Sequence, residues 1–153
     1  MCDCDDERRR RNNRRIRPCG ICCIQKGMKG IREAIANIER GIRKADECDF
    51  CEAVRLIEEG LDRLQRAARD LRGGLSHLNR RMRCREKREL EEILCDIEAA
   101  SCDIDRALDV FCSGDICGGL GTIEEVLDDL EEDLEDLRRI IRMDNNCSNN
   151  DCR

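Results

Sequence analysis

ICCIQKGMKGIREAIANIERGI, residues 21–42, sets apolar side chains at Ile21, Ile24, Met28, Ile31, Ile35, Ile38 and Ile42, in alternating steps of three and four. That spacing keeps one face of an α-helix apolar, and its seven-residue period is that of helices packed at shallow angles. Three further runs repeat it. The second is Phe50, Val54, Ile57, Leu61, Leu64, Ala68 and Leu71, continuing through Leu75, Leu78 and Met82. The third is Leu90, Leu94, Ile97, Ser101, Ile104, Leu108 and Phe111, broken only by the serine, and the fourth is Leu120, Ile123, Leu127, Leu130, Leu134, Leu137 and Ile141. Four such runs predict an all-α protein, an antiparallel four-helix bundle over residues 19–143 with helices at about 20–45, 49–84, 87–112 and 120–143.

Local signals agree with these limits. Asp49 followed by Glu52, and Thr122 followed by Glu125, read as N-caps with a capping-box partner three residues on. Gly73-Gly74 and Gly118-Gly119 are natural breaks, although the heptad register runs across the first pair to Met82. A second helix ending near Arg72 fits as well as one reaching Cys84; the longer helix, weakened at Gly73, is the expectation carried forward. The segments EAIANIERG from Glu33, EAVRLIEEG from Glu52, EILCDIEAA from Glu92 and EVLDDLEED from Glu125 share one pattern of acidic and aliphatic positions. Duplication of a helix or hairpin produces such a likeness, and so does any Glu-rich amphipathic helix. Outside the bundle, an arginine-rich arm (1–18) and a polar tail (144–153) carry cysteines and too little apolar surface to fold alone.

At 153 residues the chain is long enough for one domain with a real core, and with Phe50 and Phe111 as its only aromatic residues that core is aliphatic. Fourteen cysteines, about 9% of the chain, signal a disulfide scaffold of an oxidising environment. The N-terminal MCDCDDERRRRNNRRIRP has no apolar stretch of the secretory type, and no run approaches a membrane span. The expected location is therefore extracellular without a classical signal peptide: numbering that starts after processing, release by another route such as lysis of the producing cell, or a hyperthermophile with intracellular disulfides would each reconcile the two observations.

In an up-down-up-down bundle, Cys2, Cys4, Cys19, Cys22, Cys23, Cys84, Cys147 and Cys152 fall at or near one pole and are candidates for disulfides between subunits. Cys48, Cys51, Cys112 and Cys117 gather at the other, as candidates for intrachain disulfides or, alternatively, a zinc or Cu(I) site. The pairs in CGIC (19–22) and CDFC (48–51) cannot share one metal, because a helix of roughly 40 Å separates them. Cys95 and Cys102, on the flank of the third helix, are too far apart to bond each other; they pair elsewhere, stay reduced, or serve as small buried hydrophobes. No resident cofactor is expected.

Residues 124–136 carry nine carboxylates and no base, whereas the arm carries seven arginines and residues 80–88 six more basic groups. Solvated helix faces account for such runs, and so does head-to-tail attraction between copies of the chain. A net charge of −6 and the lack of stacking aromatics argue against nucleic acid. His77, the single histidine, has no catalytic partner in sequence, and no phosphate loop or paired-His motif is present, so no enzymatic activity is expected.

MCDC, CGICC and CSNNDC resemble the cysteine-bearing ends of endospore coat, exosporium and appendage proteins, a compositional resemblance that covers mainly the termini. It implies a spore-surface, self-assembling subunit with itself as partner, locked into a fibre or layer by intermolecular disulfides. Four-helix copper-storage proteins are a second comparison. In them cysteines project inward, often as C-x-x-x-C; here the inward positions are Ile and Leu and that motif is missing, which leaves a Cu(I)- or Zn(II)-binding helical protein as the alternative.

Overall fold

The computed structural model describes residues 19–77 and 84–151, with side-chain surroundings for 20–77 and 85–142. Four helices follow one another: α1 (Cys19–Asp46), α2 (Phe50–His77), α3 (Cys84–Cys112) and α4 (Ile116–Asp151). They pack antiparallel in a four-helix bundle, α1 against α2, α3 against α4, α2 against α3 and α1 against α4. The predicted heptads are its core. Side chains with essentially no exposure recur every seven residues: Ile24, Ile31 and Ile38; Ile57 and Leu64; Ile97 and Ile104; Ile123, Leu130 and Leu137. Burying each such Leu or Ile contributes about 1.5–3 kcal/mol, so the fold closes on aliphatic contact.

A second heptad series lies beside the first. On α1, Gly20, Gly27, Ala34 and Gly41 stand seven apart, and on α2 so do Ala53, Gly60, Ala67 and Gly74. These residues let the two backbones touch. A Cβ on Gly41 would lie 2.6 Å from Ile57 Cγ1 and 3.0 Å from Ala53 O; one on Gly60 would lie 2.6 Å from Ile38 Cγ1 and 3.0 Å from Ala34 O. Small-residue positions therefore set the spacing of this hairpin. The glycines read as a break at 73–74 do not end the helix: α2 runs through both to His77, and Gly74 belongs to the seam, against the carbonyl of Gly20.

Several limits differ from the expectation. Cys84 begins α3, so it is not the end of α2, and residues 78–83, with Leu78 and Met82, lie outside the described residues. The fourth helix starts at Ile116 and not near 120, because its cap is Asp115, whose Oδ1 accepts from the Gly118 amide at 3.0 Å. Thr122 is instead interior to the helix, its hydroxyl donating to the Gly118 carbonyl at 3.1 Å. Backbone of the expected polar tail is helical through Asp151. Asp49 does cap α2, accepting from the Glu52 amide at 3.4 Å. The returning half of the capping box is not made: the Glu52 carboxylate takes the Arg55 guanidinium, and that hydrogen bond holds its carboxyl below the ordinary range. The arm, residues 1–18, lies outside the described residues.

Candidate functional site

The cysteines were the residues singled out for function, and the fold sorts them by exposure. Cys22, Cys48, Cys51, Cys95, Cys102, Cys112 and Cys117 are exposed and free. Cys23 alone among the cysteines whose side chains are described is buried, 3% exposed, and it is disulfide-bonded. Its place in the bundle wall leaves it unsuited to bridging to a second chain. Cys19 and Cys84 open α1 and α3, Cys147 falls within the backbone of α4, and their side chains, with Cys2, Cys4 and Cys152, lie outside the described residues.

Cys95 and Cys102 follow the buried Leu94 and Ser101 on α3 and face solvent, so they are not small core hydrophobes. Ser101 itself is buried, and its hydroxyl donates to the Ile97 carbonyl at 3.2 Å. Cys48, Cys51, Cys112 and Cys117 lie at the pole where α1 meets α2 and α3 meets α4, but none is bonded to another. Among the described residues no group of three or more His, Cys, Asp or Glu is arranged to hold a metal ion.

Two turns build that pole, and they match bond for bond. In the first, the amide of Glu47 donates to Arg43 O, Cys48 to Ala45 O, Asp49 to Lys44 O and Ala53 to Asp49 O. In the second, Ser113 donates to Asp109 O, Gly114 to Phe111 O, Asp115 to Val110 O and Gly119 to Asp115 O. Every member is displaced by the same 66 positions, the distance from Asp49 to Asp115. The left-handed residue of each turn corresponds too, Cys48 at φ 63° and Gly114 at φ 113°, as the Schellman type of helix ending requires. The two hairpins thus share one turn, repeated 66 residues along the chain. In the described residues the repeat keeps one cysteine position, Cys51 and Cys117, the third residue of Asp49-Phe50-Cys51 and of Asp115-Ile116-Cys117.

Beneath the turns a small second core forms from Ala45, Ala53 and Phe111, with Val54, Ile116 and Leu120 against it. Phe50 meets Phe111 edge-on, centroids 5.8 Å apart, but it is not the core residue the heptad suggested: 37% of it is exposed, and Val110, beside Phe111 in the chain, is 40% exposed.

Charge divides by hairpin. Residues 19–77 carry 11 basic and 10 acidic side chains, whereas residues 84–142 carry 7 and 19. The repeat puts opposite charges at matching positions, Arg63 with Asp129, Arg66 with Glu132 and Arg69 with Glu135. It also replaces the seam residue Ala67 by Asp133. Burial raises the carboxyl of half-buried Asp133 to about 7, helped by the charges of Asp96, Asp136, Asp129 and Glu132. The acidic run in sequence pointed to this region but not to the one member facing a seam. His77 is exposed at the end of α2. No helix among the described residues is long and apolar enough to cross a membrane.

Comparison with family models, with curated proteins and with solved structures found no match to this chain.

Proposed function

We propose that the protein is a structural subunit that assembles with copies of itself into a disulfide-cross-linked fibre or surface layer of the spore-coat kind, outside the cell that makes it. The observation that carries this reading is the exposure, among the described residues, of seven free thiols on a bundle whose aliphatic core closes without them. A thiol on a rigid helical surface adds nothing to the packing of its own chain and is placed for a bond to a neighbour. Charge supports the same reading. The acidic α3–α4 hairpin of one copy and the Arg-rich arm of another attract, and a heterologous contact of that kind propagates instead of closing.

The test is electrophoresis of the air-oxidised protein with and without reductant. A ladder of covalent oligomers that collapses to a single band near 17.7 kDa on reduction is the expected result. A chain that stays monomeric under oxidation, or that takes up several equivalents of Cu(I) or Zn(II) as a reduced monomer, would sink the reading in favour of metal binding. The reading assigns no catalytic role to His77 or to the thiols.

A further inference from the structure

We infer that the turn pole is a junction between two copies of this chain, closed by reciprocal disulfides from Cys51 of one copy to Cys117 of the other. The inference rests on the reading above that the thiols serve covalent assembly, and it says where and in what register. The repeat supplies the register. Because the two turns correspond with an offset of 66 residues, from Cys51 to Cys117, an approximate two-fold axis along the bundle relates one turn to the other, and these two thiols with them. Both are exposed and free at one pole.

A second copy turned over about an axis perpendicular to the bundle can set its α3–α4 turn on the first copy's α1–α2 turn. That places Cys51 against Cys117 twice, in an isologous contact. Charge chooses this arrangement over the one in which like turns meet. Arg43 and Asp109 occupy corresponding positions, so unlike turns bring a base against an acid, whereas like turns oppose Asp109 to Asp109 and Arg43 to Arg43. Phe50 and Val110, the exposed large hydrophobic residues among those described, lie at the same pole and are covered by the contact. Closure is an oxidation: each Cys51–Cys117 pair loses two electrons and two protons as its S–S bond forms, and dioxygen accepts them to give hydrogen peroxide. The contact closes at two copies, so growth beyond a dimer requires other cysteines, such as the exposed Cys22, Cys95 and Cys102.

Equal amounts of isotopically light and heavy full-length chain, mixed reduced and then air-oxidised, read this out by tandem mass spectrometry of proteolytic peptides. The expected product is a Cys51–Cys117 cross-link joining one light and one heavy peptide. It is lost in the Cys51→Ser/Cys117→Ser variant. It forms more slowly in the Phe50→Ser/Val110→Ser variant, which keeps both thiols and whose helicity is checked by circular dichroism. Cross-links confined to peptides of one label, or Cys51 joined to Cys51, overturn the inference. Failure here is separable from failure of the assembly reading. A ladder that lacks the Cys51–Cys117 link removes the junction and leaves the fibre, whereas mixed-label dimers with nothing larger remove the fibre and leave the junction.

Discussion

In the first hairpin Gly27, Ala34 and Gly41 of α1 meet Ala67, Gly60 and Ala53 of α2, whereas the corresponding positions of the second are Ile93, Ala100 and Ala107 on α3 and Asp133, Val126 and Gly119 on α4. One turn geometry thus serves two kinds of seam. The first is closed by shape, with backbone against backbone and no side chain large enough to separate the helices. The second opens away from the turn: Gly119 still lies where a Cβ would be 2.8 Å from Ala107 O, but farther along the seam holds larger side chains and a carboxylate. Shape closes the first seam, whereas the second carries a carboxylate whose titration falls near neutral pH.

Enlarging the seam breaks the first hairpin hardest. Gly60→Leu drives a side chain into Ile38 Cγ1 and Ala34 O and is expected to cost about 3 kcal/mol or more, whereas Val126→Leu, the matching change in the second hairpin, costs roughly 1 kcal/mol. Urea midpoints of the two variants check this, and equal losses would mean that the seams do not differ.

Asp133→Ala converts the second seam toward the first. A carboxyl whose folded pKa is raised to about 7 binds its proton more tightly in the folded than in the unfolded chain. Its contribution is complete below the unfolded pKa, near 4, and is lost as pH rises to 7. The variant is therefore expected to gain about 1–2 kcal/mol over the wild type at pH 8, after allowance for solvent screening of a half-exposed group, and nothing near pH 4. Urea titrations at the two pH values decide it; a gain that does not change with pH would place its origin outside the titration.

The smallest contrast is between the caps. Asp115 holds its amide at 3.0 Å and Asp49 at 3.4 Å, so Asp115→Ala is expected to cost about 1 kcal/mol and Asp49→Ala roughly half of that. Thermal unfolding of the two variants measures the order, and a larger loss at Asp49 would contradict it.

The core was legible because burial obeys one period: the heptads give Ile24 through Ile141 with few errors, and Phe50 fails only because the chain is turning there. The likeness of the four helices does not by itself give the offset at which the two turns match. Glu33 and Glu92 are 59 residues apart and Glu52 and Glu125 are 73, each one heptad from the true 66. A heptad pattern matches itself at every multiple of seven, so helix similarity cannot choose among those offsets; the turns can. Asp-apolar-Cys at 49–51 and 115–117 carried the answer, and it marks Asp115 as the cap in place of Thr122. Glycine at 41 and 60 reads locally as a weak helix, and its use as a contact between backbones depends on the partner helix, which one helix's sequence does not contain. The exposure of Cys95 and Cys102 lay within reach of the same heptads, since each follows a core position.

The backbone contact of α1 with α2 has a dynamic consequence. Helix pairs joined at that distance stay together while the looser faces between hairpins separate, so partial opening parts the bundle as a book opens along its spine. Each leaf then shows its row of isoleucine and leucine to any other opened copy.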